Sequence, residues 1–144
     1  MPNKFVKRPD GTTSSIIVDE VINFNYDILG LKTDNVVYIA NGPMEISEIK
    51  CMPVVAGTGG AATCEVKKAS GTTATASGTA VQTAAFDLVG TIYTVQTATL
   101  SGTKSVRELR SGDRLGLDFT GTLTSAEGFV QIRLKRIQGA GSEK

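Results

Sequence analysis

A period of two running through LRSGDRLGLDFTGTLTSAEGFVQIRLKRI, residues 109–137, constrains this chain most. Leu115, Leu117 and Phe119 alternate with Arg114, Gly116 and Asp118. After a polar stretch, Val130, Ile132 and Leu134 alternate with Gln131, Arg133 and Lys135. Successive side chains of a strand point to opposite faces, so each run has one apolar and one polar face. Two such runs joined by the Gly, Thr and Ser of 120–128 predict an antiparallel hairpin. Ser111-Gly112-Asp113 predicts a turn ahead of it.

The rest of the chain reads in the same way. Ile16, Val18, Ile22, Phe24, Tyr26 and Ile28 share one parity, while Ile17, Val21, Phe24, Ile28 and Leu31 fit a helical stripe. The β-branched residues and Asn23 and Asn25 favour the strand. Val36–Ala40 is a short strand that ends at Asn41-Gly42-Pro43. In Met44–Val55 the apolar parity switches from Met44 and Ile46 to Ile49 and Cys51, which predicts a β-bulge near Glu48. Pro53 has no ladder N–H and predicts an edge or a bend. Gly57–Gly60 predicts a turn, with Ala62, Cys64 and Val66 on a returning strand.

Residues 69–80, ASGTTATASGTA, carry almost no large side chains and predict a mobile loop or a thin solvent-facing ribbon. Phe86 and Leu88 restart a strand, which Ile92–Leu100 continues. The sum is about eight short strands and no long helix: an all-β antiparallel β-sandwich or jelly roll. Residues 1–15 sustain no period and predict an extended N-terminal arm; 16–138 form one β-sandwich domain, and 139–144 a disordered tail.

At 144 residues the chain is long enough to bury a core without disulfide or metal. Lys and Arg total 15 against 14 Asp and Glu, so charge gives no general pull toward nucleic acid or an anionic membrane. No apolar run reaches the ~20 residues of a membrane span, and the first residues lack a signal-type hydrophobic stretch, so a cytoplasmic setting is expected. Cys51 and Cys64 are equidistant from Gly57-Thr58 and are expected opposite each other on paired strands. Such a site permits a bond, but reduced, buried thiols are favoured in a cytoplasm.

Reaction chemistry is hard to place on these residues. There is no His to serve a nucleophile, and two cysteines without His do not make a usual zinc site. The Gly57–Gly60 loop lacks the Lys-Ser/Thr of a phosphate cradle. Asp113, Asp118 and Asp87 read as carboxylates on solvated faces, and Arg133, Lys135 and Arg136 as edge protection without interleaved aromatics. No enzyme and no cofactor or metal are expected.

From Ile49 to Ile137, over roughly two thirds of the chain, the sequence resembles small virion proteins of tailed bacteriophages, in particular capsid decoration (cement) proteins. The resemblance lies in VVAGTGGAATCEVKKASGT, FDLVGTIYTVQTATL and LRSGDRLGLDFTGTLTSAEGFVQIRLKRI, with the pattern L-x-x-G-D-R-L-x-L-D-F-x-G. It implies a β-sandwich that binds the outside of an assembled head and stabilises the shell by bridging capsomers. The implied partners are the major capsid protein and further copies of the chain, as a dimer or trimer, without specific nucleic acid or membrane. The implied location is the phage head surface, after assembly in the host cytoplasm. The capsid contacts so implied fall on Lys4, Phe5, Val6, Lys7 and Arg8. Two alternatives stand beside it: a tail, fibre or spike component, and a carbohydrate-binding module. Absence of Trp, with only three Tyr, weighs against the second.

Overall fold

The computed structural model describes residues 4–7, 13–16, 20–27 and 35–137. Its strands are β1 (Lys4–Lys7), β2 (Thr13–Ile16), β3 (Glu20–Tyr26), β4 (Asn35–Ile39), β5 (Met44–Val55), β6 (Ala62–Ala69), β7 (Thr79–Ala80), β8 (Phe86–Asp87), β9 (Gln96–Thr97), β10 (Glu108–Leu109), β11 (Arg114–Gly121) and β12 (Glu127–Arg136). A one-turn helix, α1 (Lys104–Arg107), precedes β10, and a 3₁₀ turn spans Thr75–Ser77.

Two antiparallel sheets face each other. The first runs β3–β12–β5, with β9 and β10 along the far side of β5. The second runs β4–β11–β6, with β7 and β8 along the far side of β6. The chain alternates between them: β3, β5, β9, β10 and β12 lie in the first, and β4, β6, β7, β8 and β11 in the second. This is the double Greek-key order of a jelly roll. Ile49, Cys51, Ile132 and Leu134 of the first sheet pack against Cys64, Val66, Leu115 and Leu117 of the second.

This arrangement corrects two expectations. β11 and β12 do not pair with each other: β11 lies between β4 and β6, and β12 between β3 and β5. Their connection is an arch that carries the chain from one sheet to the other. The same holds for β5 and β6, so Cys51 and Cys64 sit on facing sheets rather than on paired strands, and both thiols are free. The two arches brace each other, with Thr58 N donating to Thr124 O at 3.0 Å and Thr122 N to Ala61 O at 2.8 Å.

The parity switch in β5 is a bulge at Ser47: Arg133 faces Glu48 and Leu134 faces Ile46, leaving Ser47 without a ladder position. Its hydroxyl donates to Arg133 O at 3.2 Å. A second register shift sets Glu127 opposite Val55 and Gly128 opposite Pro53, so the proline stands at a bulge. Strand wins for 20–26, with Ile22, Phe24 and Tyr26 turned to the core.

Residues 70–78 are strapped across the outer face of the second sheet rather than hanging in solvent. Thr75 is buried and its hydroxyl donates to Asn35 O at 3.2 Å. Lys67 Nζ donates to Ala76 O at 3.0 Å, and the Arg114 guanidinium donates to Gly71 O at 3.0 Å and to Thr73 O. A Cβ on Gly116 would strike Asn35 O and lie 2.6 Å from Thr75 Cβ, so only glycine lets the strap lie this close.

Candidate functional site

The long strands give the sandwich two ends, and the features able to bind divide between them. At one end stand the two arches and residues 88–95. Leu88 is buried and pins this loop by donating to Ala62 O at 2.9 Å and accepting from Gly57 N at 3.0 Å. Asp87 and Gln96 close its base. Asp87 N donates to Gln96 Oε1 at 2.9 Å, Gln96 Nε2 donates to Asp87 O at 2.6 Å, and Val89 N donates to Asp87 Oδ1 at 2.9 Å. Tyr93 N donates to Pro53 O at 2.7 Å while Tyr93 adopts a left-handed φ of 59°. A non-glycine residue held there costs about 1–3 kcal/mol.

That turn replaces the strand expected over Ile92–Leu100, of which only Gln96–Thr97 joins a ladder beyond the isolated bridge at Leu100. The pinned loop turns apolar side chains outward: Val89, Ile92, Tyr93 and Val95 are 38%, 41%, 65% and 55% exposed. Val95 also lines, with Met52 and Phe129, a shallow groove of about 210 Å³ walled by Lys50 and Gln131. Lys50 is paired with Glu48 at 3.5 Å, and Arg133 with the same carboxylate at 3.7 Å. Sequence reasoning missed this site because Ile92, Tyr93 and Val95 read as strand residues. The available signal was Gly90, which breaks the run before them.

The predicted arm residues lie elsewhere. Lys4, Phe5, Val6 and Lys7 form β1, which pairs with Thr13–Ile16 of β2 in a separate two-stranded sheet; Arg8 lies outside the described residues. The sequence showed no strand period over these residues, and the pairing of β1 with β2 was not expected. β2 ends at Ile16, and β3 begins at Glu20 opposite Leu134, whereas the loop end of β3 is Tyr26 opposite Gly128. Six residue steps of ~3.3 Å therefore put the start of β3 roughly 20 Å from the apolar end.

The end at which β3 begins also holds a groove of about 680 Å³, lined among others by Pro43, Lys68, Ser70, Glu108, Asp113 and Ile137. Its charges hold its walls. Lys68 Nζ donates to Ser105 O at 2.6 Å and Glu108 O at 2.9 Å, and Asp113 Oδ2 accepts from Arg110 N at 2.9 Å.

Among the described residues, no three His, Cys, Asp or Glu side chains are placed to hold a metal, and no helix is long and apolar enough to cross a membrane. Asp118 is paired with Lys67 at 2.7 Å, and that hydrogen-bonded contact raises the lysine pKa. Cys51 and Cys64 are buried, which pushes Cys51 up to about 12 and raises Cys64 well above its ordinary value. Thiols so held are poor nucleophiles. Of the three tyrosines, Tyr26 is buried, Tyr38 donates to Glu20 Oε2 at 2.9 Å, and Tyr93 alone is exposed.

Two solved structures align with this chain at 12% identity. A chain in the structure of infectious bursal disease virus Gx strain aligns with a TM-score of 0.47, over 98% of this chain and 38% of its own length. A chain of the Bacillus endospore appendages, disulfide-linked pili, aligns with a TM-score of 0.35, over 85% of this chain and 89% of its own. The chain thus spans well under half the length of the viral one. No protein-family model and no curated protein match it.

Proposed function

We propose that this chain is a non-enzymatic structural protein of a bacteriophage virion, a decoration protein that binds the outside of the assembled head and bridges its capsomers. The observation that carries the reading is the separation, along the sandwich, of the pinned apolar loop from the end at which β3 begins. The strand-forming arm precedes β3 in the chain. A bridge needs two contacts held apart, and a jelly roll supplies a stiff spacer between them. The sequence resemblance of residues 49–137 supplies the virion setting, and jelly rolls recur among viral capsid domains, which is support by analogy only.

In this reading the shell is reinforced mechanically. Each contact is weak, and a molecule that engages two neighbours gains from the second at high effective concentration. The partner is the major capsid protein, met by Val89, Ile92, Tyr93 and Val95 at one end and by Lys4–Arg8 at the other. Exposed apolar side chains gathered on one pinned loop are a surface of the kind that marks protein contacts.

The test is co-sedimentation of the purified chain with assembled, expanded capsids that lack it. Saturable binding at a fixed number of copies per capsomer, with shells then surviving higher temperature, is the expected result. Absence of binding, or binding without any gain in shell survival, rejects the cement role.

A further inference from the structure

The lateral edges of the two sheets are not alike. Beyond β5 the first sheet ends in β9 and β10, and beyond β6 the second ends in β7 and β8, each only two residues long. On the other flank, β3 carries Glu20, Asn23 and Asn25 along its length. Short and polar edges of this kind resist pairing with other chains.

β4 lacks such protection. It pairs with β11 on one side and, among the described residues, with no strand on the other. Its sequence, Asn-Val-Val-Tyr-Ile, holds no charge, proline or glycine. Val36 and Ile39 are 50% and 58% exposed, more than any other large apolar side chain on a strand of the two sheets. The register shift opposite Leu115 and Gly116 falls at Val37. It bends the strand without adding a repelling group.

We propose that β4 is the contact between two copies of this chain, which pair edge to edge about a two-fold axis. A two-fold contact must be complementary to itself, and an uncharged strand set antiparallel to its copy brings no like charges opposite each other. Glu20, the carboxylate of the neighbouring edge strand, already accepts a hydrogen bond from Tyr38 within the same molecule. Antiparallel pairing turns the two sandwiches end for end, so the apolar loops of the pair lie at opposite ends of the dimer. One kind of docking loop then reaches two equivalent positions on a shell. This consequence rests on the bridging role proposed above; the edge contact itself does not.

The test is sedimentation equilibrium of the full chain over a wide concentration range, beside the variant carrying Val36→Lys and Ile39→Lys. Both positions are exposed, so the variant should keep its β-sheet circular dichroism and a cooperative melting transition. The expected result is a concentration-dependent dimer for the native chain and the monomer mass for the variant. A native chain that stays monomeric throughout, or a folded variant that still dimerises, overturns the proposal. So does a chain that dimerises only after residues 1–19 are removed, since its own N-terminal segment would then be the occupant of the edge. Capsid binding separates the two ideas. A dimer that ignores capsids supports the edge contact and overturns the shell role, whereas a monomeric variant with weakened capsid affinity supports both.

Discussion

At the scale of single residues, Tyr26, Cys51, Cys64 and Gly128 meet in one buried cluster at the loop end of the core. The Tyr26 ring lies against Phe119, centroids 5.6 Å apart, and its buried hydroxyl meets the Cys51 thiol but no oxygen or nitrogen partner. A thiol is a weak partner and a poorly paired buried polar group is costly, so Tyr26→Phe should hold or raise stability, by up to about 1 kcal/mol, in urea denaturation. A loss of stability would mean that the hydroxyl has a stronger partner in solution. Gly128 is the complement of that side chain: a Cβ there would strike the Tyr26 hydroxyl and lie 2.6 Å from Met52 O. Gly128→Ala should therefore cost about 1–3 kcal/mol, and Tyr26→Phe should recover only part of it, because the Met52 carbonyl remains. The same cluster gives an alkaline sensitivity. Burial raises Cys51 from the ordinary thiol value of 9.0 to about 12. Below pH 9 the thiol is protonated whether the chain is folded or not. Between about 9 and 12 the unfolded chain sheds a proton that the fold retains, so stability falls as pH rises, by up to about 1.4 kcal/mol per pH unit for this group. Cys51→Ala should flatten that slope in denaturation measured from pH 8 to 11. An unchanged slope would assign the loss to other groups.

At the scale of elements, what was legible in the sequence was what depends on a residue's own parity. The strand over 20–26, the bulge beside Glu48 and the inward faces of β11 and β12 all follow from alternation. Which strand pairs with which does not. The 120–128 connection has the composition of a hairpin turn, yet the chain uses it as an arch, because β11 and β12 each find two partners elsewhere. Local sequence carries no record of that choice. The strap over 70–78 was illegible for a related reason: its anchors are mainly backbone carbonyls held by Lys67 and Arg114, side chains that sequence alone assigns to solvent. Arg114→Ala removes two of those bonds without touching the core. The variant should be cut by protease within 70–78 several times faster than the native chain, while its melting temperature shifts by no more than a few degrees. Equal cutting rates would show that Thr75 and Gly116 hold the strap unaided.

For the whole molecule, the shell role proposed above raises the question of which end carries the binding energy. Tyrosine and other large apolar side chains on a pre-ordered loop lose little freedom on docking, whereas an arm that must be ordered offsets part of its contact energy with entropy. An isolated two-stranded hairpin is marginal in water, so the β1–β2 pair has more to lose. The loop should therefore dominate affinity and the arm should add avidity. Replacing Ile92 and Tyr93 together by Ser should weaken capsid binding by about a hundredfold, the scale of losing two apolar anchors. The melting temperature should hold or rise, since both side chains are exposed. Removing residues 1–12 should weaken binding less, by about tenfold, and should reduce the protection of the shell against heat more than it reduces occupancy, because a molecule attached at one end decorates without bridging. The two variants thus separate attachment from reinforcement. If the arm deletion abolishes binding while the loop variant binds normally, the order of the two contacts is reversed, and the apolar loop must face something other than the capsid.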